Sequence, residues 1–182
     1  LYAYCKNNPV VYYDPSGYKD KRQTPCKEET SVGESGAGES GKDSVDDIVK
    51  GVENGDILLS NNIQKGNYGE MKMDVYFKSQ GYERISLDRV TDLNAPTHQG
   101  IDGVYYKLNG HPPYIIGEAK YGSSKLGSTK DGMQMSDTWI NGSNRLVNAV
   151  GKDVADDILL EGYGRILVNI TSDGKVIIKN LD

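Results

Sequence analysis

Apolar and polar positions alternate with two different periods along the last two thirds of the chain, and with no sustained period before that. Over residues 44–51 the apolar set Val45, Ile48 and Val49 has helical spacing, with Ser44 placed to cap it. Residues 56–59 are apolar but too few to assign. Over 67–80, NYGEMKMDVYFKSQ, the spacing of Tyr68, Met71 and Val75 predicts a helix that Asn67 caps and Gly81 ends. Glu70 and Asp74 then share a face at i, i+4. Residues 82–90 alternate as a strand that starts a sheet, and a polar loop over 91–99 follows.

The densest signal is residues 100–122, GIDGVYYKLNGHPPYIIGEAKYG, which reads as two strands and a hairpin. Ile101, Val104 and Tyr106 carry strand character in the first, and Tyr114, Ile115 and Ile116 in the second. Asn109-Gly110 and two prolines supply the turn. After a Gly/Ser/Lys loop over 123–132, residues 133–151 are helical with a break at Asn141-Gly142. Residues 152–161 continue helical, and 165–171 and 175–181 close the chain as a hairpin turning at Ser172-Asp173-Gly174. The expected fold class is therefore α/β, a mixed central sheet flanked by helices.

The first sixty residues differ in kind. Residues 1–18 are aromatic and Asn/Pro-rich, and residues 19–60 read as a Glu/Ser/Gly/Lys linker with the one short helix. Gly36-Ala37-Gly38-Glu39-Ser40-Gly41-Lys42 matches seven positions of a phosphate-binding loop. Asp43 stands where Ser or Thr is needed, and no apolar strand leads in, so the stretch reads as solvated linker. Cys5 and Cys26 have no metal spacing and are expected as free thiols, although a bridge between them stays open. No run approaches the ~18 apolar residues of a membrane span. Leu1 stands where an initiator methionine would, which points to a piece of a longer protein.

Net charge is −5, the wrong sign for a chain bound to nucleic acid over its whole surface. Residues 1–60 hold seven Lys/Arg against eleven Asp/Glu, while residues 61–182 hold fourteen against fifteen. The second region leaves room for a local basic groove. With two histidines, no Cys/His zinc spacing and no nucleophile elbow, acid–base chemistry falls to carboxylates, lysine and metal-bound water.

Residues two apart on a strand share a side, so Glu118 and Lys120 project together while Ala119 faces away. With Asp102 they form a carboxylate–carboxylate–amine set able to hold a hard divalent cation and orient a water. His98, four residues before Asp102, is open to metal ligation, to phosphate contact, or to an ordinary loop role. Lys125 and Lys130, in the loop after the hairpin, suit a nucleic-acid backbone or plain solvent, as does Arg145. Trp139 reads as core.

An Asp, a hairpin of this length and Glu-x-Lys on the next strand resemble the PD-(D/E)xK nuclease superfamily. That resemblance implies a restriction endonuclease-like core over residues 61–182. It also implies Mg²⁺ or Mn²⁺ held by Asp102, Glu118 and the Ala119 carbonyl, with Lys120 acting on the attacking water. In that superfamily the first core helix often brings a further carboxylate to the metal, and Glu70 fits the position; the helix dipole explains an acidic residue there equally well. Several subfamilies place a Gln on the helix after the Glu-x-Lys strand, which points to Gln134.

Residues 1–18, LYAYCKNNPVVYYDPSGY, resemble the end of an Rhs/YD-repeat shell, after which a variable toxin domain follows in that family. The two resemblances together imply a secreted or surface-borne nuclease toxin that acts in the cytoplasm of a competing cell and is restrained by a cognate immunity protein. DNA is the favoured substrate and transfer RNA the alternative. The reading from another class is a non-enzymatic binding or structural tip of a repeat protein.

Overall fold

A computed structural model describes residues 44–181; the expectations for 1–43, including the repeat-like end, the Gly-rich near-match, Cys5 and Cys26, lie outside them. The compact unit that contains the described residues runs from Gly41 to Asp182. It is a mixed α/β fold in which a five-stranded sheet is flanked by helices on both faces.

Helix α1 (Val45–Asn54) starts where Ser44 accepts from the Asp47 N–H and stops at Gly55 with φ 83°. That cap is the one expected. Helix α2 (Asn62–Ser79) begins five residues before the expected position because Asn61, not Asn67, is its cap, accepting from the Gln64 N–H. Asn67 is instead buried within the helix and donates its side-chain amide to the carbonyls of Asp92, Leu93 and Ala95, at 3.3, 2.8 and 2.8 Å. It clasps the loop that leads toward Asp102.

Strand β1 (Glu83–Arg84) is two residues long, not nine; the rest of 82–90 leaves the sheet, and its backbone returns only as Ile85 and Ser86 donate to the Val104 carbonyl. β2 (Gly103–Tyr106) and β3 (Tyr114–Tyr121) form the expected antiparallel hairpin, with Asn109 in the turn at φ 63°. A small ribbon, β4 (Ser128–Thr129) and β5 (Gly132–Met133), occupies the end of the expected 123–132 loop and takes Met133 from the expected helix. Helices α3 (Asp137–Asn141) and α4 (Arg145–Val150) are separated by a tight turn at Ser143 and Asn144, both with positive φ, where the break was expected. Helix α5 (Lys152–Glu161) leads into β6 (Tyr163–Ile170), which runs parallel to β3, and β7 (Val176–Asn180) returns antiparallel to β6. The sheet order is β1-β2-β3-β6-β7.

Alternation along β3 sorts the two cores. Ile115 and Ala119 join Tyr68, Met71, Met73 and Phe77 of α2 and Val45 and Val49 of α1 on one face. Ile116 joins Trp139, Ile140, Leu146 and Ile158 of α3, α4 and α5 on the other. The domain therefore includes α1 and reaches further toward the N-terminus than residue 61. Gly117 lets α2 lie close, since a Cβ there would meet Met73 Sδ at 2.9 Å.

Candidate active site

Gly103 pairs with Gly117 in the β2–β3 ladder, and one further step of that register sets Asp102 across from Glu118. The backbone ladder ends there because Asp102 supplies a side-chain acceptor in its place: Ala119 N–H donates to Asp102 Oδ2 at 2.9 Å. The Asp102 carbonyl accepts from Arg84 Nη2 at 2.8 Å, and the same nitrogen bonds the Asp88 carbonyl. Behind this, Asp74 is buried and accepts from Arg84 Nη1 at 2.6 Å, Arg89 Nε at 2.9 Å and the Tyr105 hydroxyl at 2.6 Å. So α2 sends its two acidic residues to different tasks. Asp74 ties the helix to β1 and β2, while Glu70, one turn earlier, reaches the cleft.

Glu118 is 1% exposed. Its Oε1 accepts from Lys120 Nζ and from Gln134 Nε2, each at 2.6 Å, while its Oε2 is buried with no hydrogen-bond partner. Gln134 lies in the segment after β5, ahead of α3, not on the first helical turn as expected; Ser136 caps that helix instead. Gln134 reaches Glu118 because its backbone N–H and side-chain oxygen both bond Gly127, which fastens the segment to the β3–β4 loop. Glu70 Oε2 is likewise buried without a partner.

Burial, then the neighbouring Asp102 charge, pushes the Glu70 carboxyl up to about 9 and Glu118 up to about 8. Burial also raises Asp102, although the Ala119 N–H and Lys120 act against it. Three carboxyls crowded together, two with an unpartnered buried oxygen, are the donor chemistry that a divalent cation satisfies. Glu70, His98 and Asp102 each bring one ligand atom within 4.8 Å of the others.

Glu70, Asp102, Ala119 and Lys120 line a cleft of ≈ 510 Å³ together with Lys65, Gly66, Ser123, Ser124 and Lys125. Lys65 escaped the sequence reading because the expected helix began after it; with α2 starting at Asn62, Lys65 and Gly66 stand one turn before Glu70. Lys130 sits exposed at the β4–β5 turn and outside the cleft lining. Arg145 is spoken for: Nη1 bonds Asp131 Oδ2 and the carbonyls of Trp139 and Gly142 at 2.8, 2.8 and 3.1 Å, and its guanidinium lies over the buried Trp139 ring. The sequence reading also missed Arg84, Asn67 and Asp74 as the groups that hold the Asp102 loop. Their signal was weak, since a strand arginine and a helix aspartate look solvated, and Asn67 looks like a cap, until the fold buries them.

Among the described residues no helix is long and apolar enough to cross a membrane. Comparison with family models, curated proteins and solved structures returned no match.

Proposed function

We propose that this domain is a divalent-metal-dependent phosphodiesterase with a restriction endonuclease-like core, cutting DNA in preference to transfer RNA. The observation that carries the reading is the joining of Asp102, Glu118, Lys120 and Gln134 at one end of the β2–β3 hairpin, beside an open cleft. The sheet order and the parallel β3–β6 pair, with α2 on one face and α5 on the other, support the core assignment.

Asp102, Glu118 and Glu70 would hold the cation, with the Ala119 carbonyl as a further ligand implied by the family pattern. The bound cation lowers the pKa of a water and offsets phosphate charge. Lys120 holds and orients the attacking water and adds positive charge beside the scissile phosphate. Gln134 keeps Glu118 Oε1 engaged, so Glu118 Oε2 is the oxygen left to turn toward Asp102. Lys65 and Lys125, which line the same cleft, bind flanking phosphates without reading bases. Hydrolysis adds water across one P–O bond, the proton passing to the leaving oxygen.

The delivery biology rests on residues 1–18 alone. Their likeness to an Rhs/YD-repeat end supports a secreted or surface-borne toxin with an immunity partner.

Purified protein incubated with plasmid and with total cellular RNA, in Mg²⁺ or Mn²⁺ at low salt, tests the activity. Plasmid cleavage that EDTA abolishes is expected. Undiminished cleavage in excess chelator overturns the metal reading. Intact plasmid beside shortened transfer RNA transfers the substrate to RNA. Neither substrate cut, with Glu118→Ala as toxic as wild type, leaves the non-enzymatic reading.

A further inference from the structure

We propose that His98 is a nitrogen ligand of the cation site, making it a mixed imidazole–carboxylate centre that favours Mn²⁺ over Mg²⁺. The inference rests on the metal-dependent reading of the same site and changes its donor set from all-oxygen.

His98 Nε2 lies 4.0 Å from Glu70 Oε2, a buried oxygen with no hydrogen-bond partner. One ligand atom from each of Glu70, His98 and Asp102 falls within 4.8 Å of the other two. Ligands about 2.1 Å from a shared ion stand about 3–4.2 Å apart, so a small contraction brings the three onto one centre. Glu118 supplies an independent pointer. It is 1% exposed, its Oε2 has no hydrogen-bond partner, and the β2–β3 register sets it across from Asp102.

His98 is exposed, in a loop that is fastened on both sides of it. Asn67, on α2 one turn before Glu70, spends its buried amide on three carbonyls of residues 92–95. Arg84 pins the same loop at the carbonyls of Asp88 and Asp102. The imidazole and the Glu70 carboxylate are thus delivered by one helix and a loop fastened to it.

Imidazole nitrogen suits first-row transition metals, whereas Mg²⁺ selects oxygen and water. With two or three carboxylates beside one imidazole, Mn²⁺ satisfies both donor types.

Electron spin-echo spectroscopy of Mn²⁺ bound to the full chain reads the ligand directly, without reference to cleavage. Nitrogen modulation is expected in the wild type, retained in His111→Ala and lost in His98→Ala. A Mn²⁺ titration should show affinity falling about 10–100-fold in His98→Ala, with a smaller change for Mg²⁺. Bound Mn²⁺ without nitrogen modulation in the wild type removes His98 and leaves the metal-dependent reading standing. No bound Mn²⁺ in the wild type overturns both, and that result is recognised by the absence of any protein-bound spectrum.

Discussion

At the scale of single residues, the site sets activity against stability. The Glu118 carboxyl sits in its pocket at a cost that depends on its proton. Its folded pKa of about 8 and that of Glu70 at about 9 stand above the ordinary carboxylate value of 4.5. Stability from holding those protons is fully present below pH 4.5 and is lost as pH rises through 8 to 9. The cation-free protein should therefore melt at progressively lower temperature between pH 5 and pH 9, and added Mn²⁺ should raise the melting temperature more at the upper end. Glu118→Gln keeps an acceptor for Lys120 and Gln134 but needs no proton. It should stabilise the cation-free protein at pH 8 by roughly 1–3 kcal/mol, yet cut cleavage by about 10² to 10³. A variant that lost activity and stability together would assign Glu118 to the frame and not to the chemistry. The cationic residues divide in the same way. Lys65→Ala and Lys125→Ala should each weaken DNA binding and lower the salt dependence by about one phosphate contact. Arg145→Ala should leave the salt slope unchanged and lower the unfolding midpoint, because its partners are Asp131, two carbonyls and the Trp139 ring.

At the scale of elements, the hairpin β2–β3 carries Glu118 and Lys120 and leads out of Asp102, and α2 holds the hairpin. The bond between them is the Asp74 cluster, with Arg84, Arg89 and the Tyr105 hydroxyl closing on one buried carboxylate. Asp74→Ala leaves Arg84, itself largely buried, without its counter-charge, and should cost about 3–5 kcal/mol in urea unfolding. Since Arg84 also carries the Asp102 carbonyl, activity in the folded fraction should fall as well. The hairpin was legible in the sequence because its apolar alternation, turn residues and Glu-x-Lys are all local. Helix α5, the closing hairpin and the break between α3 and α4 were legible for the same reason. The start of α2 was not. Asn61 and Asn67 are equally good caps by type, and only the tertiary use of Asn67 by the 92–95 carbonyls decides between them. The overlong β1 is a similar case: Arg84 is drawn into the Asp74 cluster, and the chain beyond it turns to present Ser86 Oγ to the Val104 N–H instead of extending the ladder. Gln134 bonds Glu118 from a segment ahead of α3 and not from the helix expected there, because the two-residue ribbon that precedes it has no periodicity to read.

At the scale of the molecule, the question is where the self-sufficient unit begins. Helix α1 lies in the stretch that composition assigns to a linker, and its signal, three apolar residues behind a serine, is too short to reveal a tertiary role. In the fold it buries Val45 and Val49 in the core that also contains Tyr68, Met71 and Phe77, with Ile48 and Val52 packed against it. Each fully buried aliphatic side chain contributes about 1.5–3 kcal/mol. Removing α1 thus takes away several kcal/mol from a net stability of roughly 5–15, and uncovers apolar surface on α2 as well. A fragment spanning residues 41–182 should melt with the full chain and retain its cleavage rate, since every group placed in the cleft lies within it. A fragment spanning 61–182 still holds all the proposed catalytic residues, yet should unfold at a clearly lower urea concentration or aggregate. The comparison separates chemistry from support. If the shorter fragment matched the longer one in both midpoint and rate, α1 would be an appendage after all; if 41–182 were folded but inactive, the site would need residues from the first forty.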